Sequence, residues 1–104
     1  MIDDKEILQR IKTEILSVAP EAKIFLFGSR SRGDFHDESD WDILIITETP
    51  PDRGLKNKIH EKLFPLSVEI CSFINTIIVS ENDWINNPSY YSLHLSTAAE
   101  TIPL

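Results

Sequence analysis

Lys23-Ile24-Phe25-Leu26-Phe27-Gly28-Ser29 and, ten residues further on, Asp40-Trp41-Asp42-Ile43-Leu44-Ile45-Ile46 are the stretches on which the reading of this chain turns. Residues 23–27 are apolar on both faces, the pattern of a central strand covered on each side. The strand runs into a Gly-Ser turn. Glycine there lets the backbone approach a ligand closely, and the backbone N–H groups and the Ser29 hydroxyl can hold phosphate oxygens. Residues 40–46 form a second strand. Asp40, Asp42, Leu44 and Ile46 share one face, and Trp41, Ile43 and Ile45 the other. Only the first residues are polar, so the carboxylates project from the strand's mouth. Side chains two apart on a strand lie roughly 6.5–7 Å apart along it. Two carboxylates so placed can grip Mg²⁺ ions spaced about 3.5–4 Å, the separation that activates an attacking and a leaving oxygen together. A phosphate cradle beside a metal clamp is equipment for chemistry on a nucleoside triphosphate.

Outward from these strands the elements follow from periodicity. Asp3, Asp4 and Glu6 sit at the start of a helix, where acids cap free N–H groups and favour the dipole. Its buried stripe is Ile7, Ile11 and Ile15 with Leu8 and Val18, and Pro20 ends the segment. Pro50-Pro51 breaks the chain after the second strand. Asp52 caps a helix with the stripe Leu55, Ile59 and Leu63, and Pro65 is expected to separate it from a third strand over residues 66–73. Glu69 is the only charge there, among Val68, Ile70, Cys71 and Phe73. Burying an unpaired carboxylate costs on the order of several kcal/mol, so such a group calls for a cation or a donor. The alternative is a Glu69 solvated at a sheet edge. Residues 77–79 read as a short fourth strand or a continuation, Ser80 as a helix cap, and Ser89 as the cap of a last helix.

The whole chain, residues 1–104, reads as one domain with a single modest core. A net charge of −7 disfavours non-specific binding to nucleic acid and suits either simple solubility or a basic partner. The single Cys71 is expected to be a small buried hydrophobe in a reducing compartment. There is no signal-peptide pattern and no apolar run of membrane-spanning length, so a cytoplasmic protein without a membrane role is expected. His36, His60 and His94 show no ligand spacing. Arg30 and Arg32 can neutralise a triphosphate, or pair with Asp34, Asp37 or Glu38. Ser39 reads as a turn or cap residue.

The Gly28-Ser29 pair, the ten-residue interval containing Arg32-Gly33, and Ser39-Asp40-Trp41-Asp42 resemble the signature of the DNA polymerase beta-like nucleotidyltransferase superfamily. The resemblance is to its minimal nucleotidyltransferase (MNT-type) members and covers residues 5–85. It implies an α+β fold, a mixed β-sheet with helices mainly on one face. It implies that Asp40, Asp42 and Glu69 are catalytic and hold two Mg²⁺ ions, with Glu69 standing where the family usually has an Asp on a third strand. Gly28, Ser29, Arg32 and Ser39 would contact the nucleotide. The implied reaction is transfer of AMP from ATP to a hydroxyl. For MNT-type proteins the implied partner is a helical HEPN-type toxin, adenylylated on tyrosine, so that the chain acts as antitoxin. Two other readings stay open: an antitoxin that binds nucleotide but neutralises by contact, and a nucleotidyltransferase acting on a small molecule.

Overall fold

Helix α1, Asp4–Val18, starts where the Asp3 carboxylate accepts a hydrogen bond from the Glu6 backbone N–H at 2.8 Å, satisfying one of the free donors of its first turn. Its Ile7, Ile11 and Ile15 are buried, as their spacing predicts. This computed structural model describes residues 3–27, 40–88 and 102–104. Strands β1, Lys23–Phe27, and β2, Trp41–Thr47, pair antiparallel with Phe27 opposite Asp42. Helix α2, Arg53–Ile70, then crosses back to β3, Ile74–Ser80, which lies parallel to β2. A six-residue helix α3, Glu81–Asn86, follows on its Ser80 cap. The two-residue strand β4, Ile102–Pro103, adds to the free side of β1, giving the sheet order β3-β2-β1-β4. The α+β class and mixed sheet are as expected.

The alternation of β2 divides the core in two. Trp41, Ile43 and Ile45 join Ile24, Leu26 and Ile78 beneath α1 and α2, which contribute Ile7, Ile11, Ile15, Ile59, Leu63 and Leu66. Leu44, Ile46 and Val79 form a smaller cluster on the opposite face with Phe25, Phe27, Ile77 and Trp84. Both main helices thus lie on one face, and the other carries the row Phe27–Asp42–Asn75 across the strand ends.

The third strand departs from expectation. Pro65 does not end the helix: α2 runs through it to Ile70, and residues 66–70 are helical. An interior proline costs about 3 kcal/mol through the lost bond to the residue four before it and the ring clash. Leu63 and Leu66 flank it at 3% and 1% exposure, and burying each contributes roughly 1.5–3 kcal/mol, so packing outweighs the break. The helix stops instead at Cys71, in the left-handed region at φ 53°, ψ 41°. The Cys71 N–H donates to the Val68 carbonyl and the Ser72 N–H to that of Ser67, both at 3.2 Å, which is a Schellman closure. Cys71 is therefore an exposed helix-capping residue and not a buried strand residue. The strand lies later, over Ile74–Ser80, absorbing residues 77–79.

Candidate active site

Asp42 stands near the start of β2, the second of its residues, and Asp40 immediately precedes the strand. Being two apart they share the face opposite α1 and α2; Asp42 is half-buried and Asp40 exposed. Central strand β2 is held on both sides, by β1 and β3, so the carboxylates sit on a rigid support. The Trp41 N–H, between them in sequence, donates to the Phe73 carbonyl at 2.9 Å and ties the mouth of β2 to the turn before β3.

Parallel register places Asn75 of β3 opposite Asp42. Its side-chain Nδ2 lies 3.2 Å from Asp40 Oδ2 and 3.2 Å from Asp42 Oδ1, so one amide group bridges the two acids. The sequence reading missed Asn75. Its signal is a single amide among Ile74, Thr76, Ile77, Ile78 and Val79, at the same second position in its strand as Asp42. Placing the third strand too early hid it.

Glu69 is the correction that follows. It is on α2, not on a strand, and its Oε2 lies 2.6 Å from Arg10 Nη1 of α1. The pair is partly solvated, with side-chain exposures of 49% and 40%, and fastens one helix to the other. The charge expected to require a cation already has one, and the structure does not bring Glu69 to the aspartate pair. Gly28, Ser29, Arg32 and Ser39 lie outside the described residues, as do Arg30, the acidic loop and the helix expected after Ser89. Phe27 is the last residue of β1 and pairs with Asp42, so the chain enters Gly28 at the level of the carboxylates.

Beside Asp40 opens a cleft of about 480 Å³ lined by Phe64, Ser67, Val68, Cys71, Ser72 and Phe73. Phe64, Val68 and Phe73 are 68%, 60% and 75% exposed, large apolar groups turned to solvent. Among the described residues no three His, Cys, Asp or Glu side chains form a metal-holding group. What converges is two carboxylates, hard oxygen donors of the kind Mg²⁺ accepts, bridged by the N–H groups of one amide. Among the described residues, no helix is long and apolar enough to cross a membrane.

A β3-β2-β1-β4 sheet with paired acids at the mouth of β2 has the parts that metal-assisted phosphoryl or nucleotidyl transfer requires. A nucleotidyltransferase domain matches residues 5–89, and the chain belongs to that family. A Methanocaldococcus jannaschii protein provisionally named a protein adenylyltransferase is 33% identical over 75 residues, 70% of this chain and 76% of that protein. Two solved structures share the fold. One, a toxin–antitoxin complex with AMP-PNP, gives a TM-score of 0.62 at 21% identity, covering 91% of this chain and 69% of the other. The second is a tri-AMPylated Shewanella oneidensis HEPN toxin in complex with its MNT antitoxin. It gives a TM-score of 0.60 at 17% identity, covering 95% of this chain and 69% of the other.

Proposed function

We propose that this nucleotidyltransferase moves AMP from ATP to a hydroxyl of a partner protein, a tyrosine of a HEPN-type toxin, and so serves as its antitoxin in the cytoplasm. The observation that carries the reading is the Asp40–Asp42 pair on one face at the mouth of β2, in a chain of this family. The relative named for protein adenylylation and the fold shared with toxin–antitoxin complexes support the choice of acceptor.

Asp40 and Asp42, held in a common orientation by the Asn75 amide N–H groups, would hold Mg²⁺. When bound, that ion offsets charge on the attacking and leaving oxygens, so no protein nucleophile is required. Gly28 and Ser29 hold the triphosphate through backbone N–H groups and a hydroxyl, Arg32 adds a positive charge, and Ser39 shapes the approach to the aspartates. The acceptor oxygen bonds to the α-phosphorus as the bond to the β-phosphate oxygen breaks. Pyrophosphate leaves, and the hydroxyl proton passes to Asp40 or to water. Among the described residues the cleft beside Asp40 is lined by no cationic side chain, and the chain carries a net −7. It therefore suits an apolar protein segment better than a nucleic-acid end.

The test uses ATP labelled at the α-phosphate, Mg²⁺, and this protein with the proteins that co-purify from its host, beside the Asp40→Ala/Asp42→Ala double variant. Label on a partner protein, absent with the variant, is the expected result. A second reading, neutralisation by contact with nucleotide bound but not transferred, is favoured by the amide standing where a third acid was expected. It predicts no label anywhere and an Asp42→Ala variant that still neutralises. Label on a free small hydroxyl compound would instead make the protein a small-molecule nucleotidyltransferase.

A further inference from the structure

We infer that Asn75 sets the charge of the site, so that the carboxylate pair takes up its divalent ion together with the nucleotide and not before it. Three observations carry this. The β2–β3 register fixes Asn75 beside Asp42, and the residues of this row lie on the face away from the two large helices. The Asn75 nitrogen is 3.2 Å from an oxygen of each aspartate. An amide NH₂ has two hydrogens, one for each carboxylate. And among the described residues no third acid joins the pair.

Two like charges on one strand face repel unless something lies between them. Asn75 supplies two donors from one side chain, fixing both carboxylates in a common orientation without adding charge. A carboxylate at this position could not donate, and would add a third negative charge to those of Asp40 and Asp42. Such a site would attract a divalent cation strongly even when empty of substrate. With Asn75 the described residues of the site offer the two aspartate charges, and an arriving ion has to displace the bonds the amide makes to the acids. A triphosphate provides the missing negative charge, so ion and nucleotide bind cooperatively. Asn75 acts through Asp40 and Asp42 and is a positioning residue.

The inference rests on the nucleotide-transfer reading, and metal binding tests the two separately. Mn²⁺ would be titrated by electron paramagnetic resonance into the wild type, Asn75→Asp and Asn75→Ala, each with and without AMP-PNP. Expected is weak wild-type binding of Mn²⁺ alone, strengthened about tenfold or more by AMP-PNP. Asn75→Asp should bind Mn²⁺ alone about tenfold more tightly than wild type and lose most of the nucleotide dependence. It should also melt lower than wild type in metal-free buffer and recover in Mn²⁺, a pattern that a purely structural role for Asn75 would not produce. Asn75→Ala keeps the charge count, so its affinity for Mn²⁺ alone should stay within about threefold of wild type whether or not the aspartate variant folds. Equal Mn²⁺ affinity in Asn75→Asp and wild type, with AMP-PNP bound by both, would overturn the inference alone. A tenfold loss in Asn75→Ala would also overturn it, by making the amide an essential ligand. Failure of the wild type to bind AMP-PNP at all would take the transfer reading down as well.

Discussion

Replacing Pro65 with alanine should stabilise the protein, because the structure carries α2 straight through this residue. Pro65 is exposed and thirteenth of the eighteen residues from Arg53 to Ile70, so its ring packs little and its removal leaves no cavity. An interior proline is about 3 kcal/mol worse than alanine, through the missing N–H to the Glu61 carbonyl and the clash with it. Against that gain stands the extra freedom of the unfolded chain once proline is gone, about 0.4–1 kcal/mol. The net is about 2 kcal/mol, equivalent to a rise in melting temperature of about 10 °C for a domain of this size. Urea denaturation followed by circular dichroism, with a thermal melt beside it, reads both numbers. The linear-extrapolation slope should not change, since the folded and unfolded surfaces stay nearly the same. A break at Pro65 would instead put residue 65 in a linker. There alanine gains no helical hydrogen bond, and the substitution would be neutral or destabilising. A gain under about 0.5 kcal/mol, or a loss, would refute the continuous helix. It would also unseat the argument that Glu69 is a helix-surface residue.

Three other substitutions test further features of the fold. Glu69→Gln removes a half-exposed ion pair with Arg10, so unfolding free energy should fall by no more than about 0.5 kcal/mol while Mn²⁺ binding is unchanged; loss of metal binding would restore Glu69 to the site. Cys71→Gly relieves a left-handed residue whose side chain costs about 1 kcal/mol, partly offset by the freer unfolded chain, and urea unfolding should show a net gain near about 0.5 kcal/mol. Glu48 is held above the ordinary carboxylate value, first by its hydrogen bond to Glu21 and then by repulsion from that residue. Because the folded-state value is raised, the stabilisation is complete below the unfolded value and is lost as pH rises through the folded one. Glu48→Gln should therefore gain stability relative to wild type as pH rises above the ordinary carboxylate range of about 4, compared through urea midpoints; an unchanged difference would contradict the pairing.

Where local signals agreed, the sequence was sufficient. Ile7, Ile11 and Ile15 could serve only a helix, and the polar mouth of an otherwise apolar strand located Asp40 and Asp42. Residues 63–73 carried two signals at once. Leu66, Val68 and Ile70 alternate like a strand, while Leu55, Ile59, Leu63, Leu66 and Ile70 continue a helical stripe across Pro65. Read alone, the proline favours a break, yet two buried leucines together outweigh one lost hydrogen bond. A break at Pro65 would put Glu69 and Cys71 on a strand and leave Asn75 beyond it; the continuous helix moves all three. Asn75 would have been hard to recognise in any case, because an amide matters here only through register with a strand more than thirty residues away. Residues 28–39 carry half of the signature and lie outside the described residues, so the phosphate-holding roles of Gly28 and Ser29 rest on the sequence.

The placement of the site follows from which face of the sheet the helices leave alone. Trp41 points beneath α1 and α2 and is 2% exposed, so the alternation of β2 sends Asp40 and Asp42 the other way. On that side the apolar row of Leu44, Ile46 and Val79 begins only after Asp42, leaving the strand mouths polar. A charged pair there keeps its hydration until a ligand replaces it, whereas the same pair beneath the helices would have to be neutralised at once. Phe27, Asp42 and Asn75 stand abreast on three adjacent strands, so one row joins the residue before Gly28, an acid of the candidate site and the amide that bonds to it. The spacing of that row is set by backbone hydrogen bonds, which no substitution on the surface of the cleft can alter. Changes at Phe64, Val68 or Phe73 should therefore alter which acceptor is chosen, and changes at Asn75 how the ion arrives, without either disturbing the other.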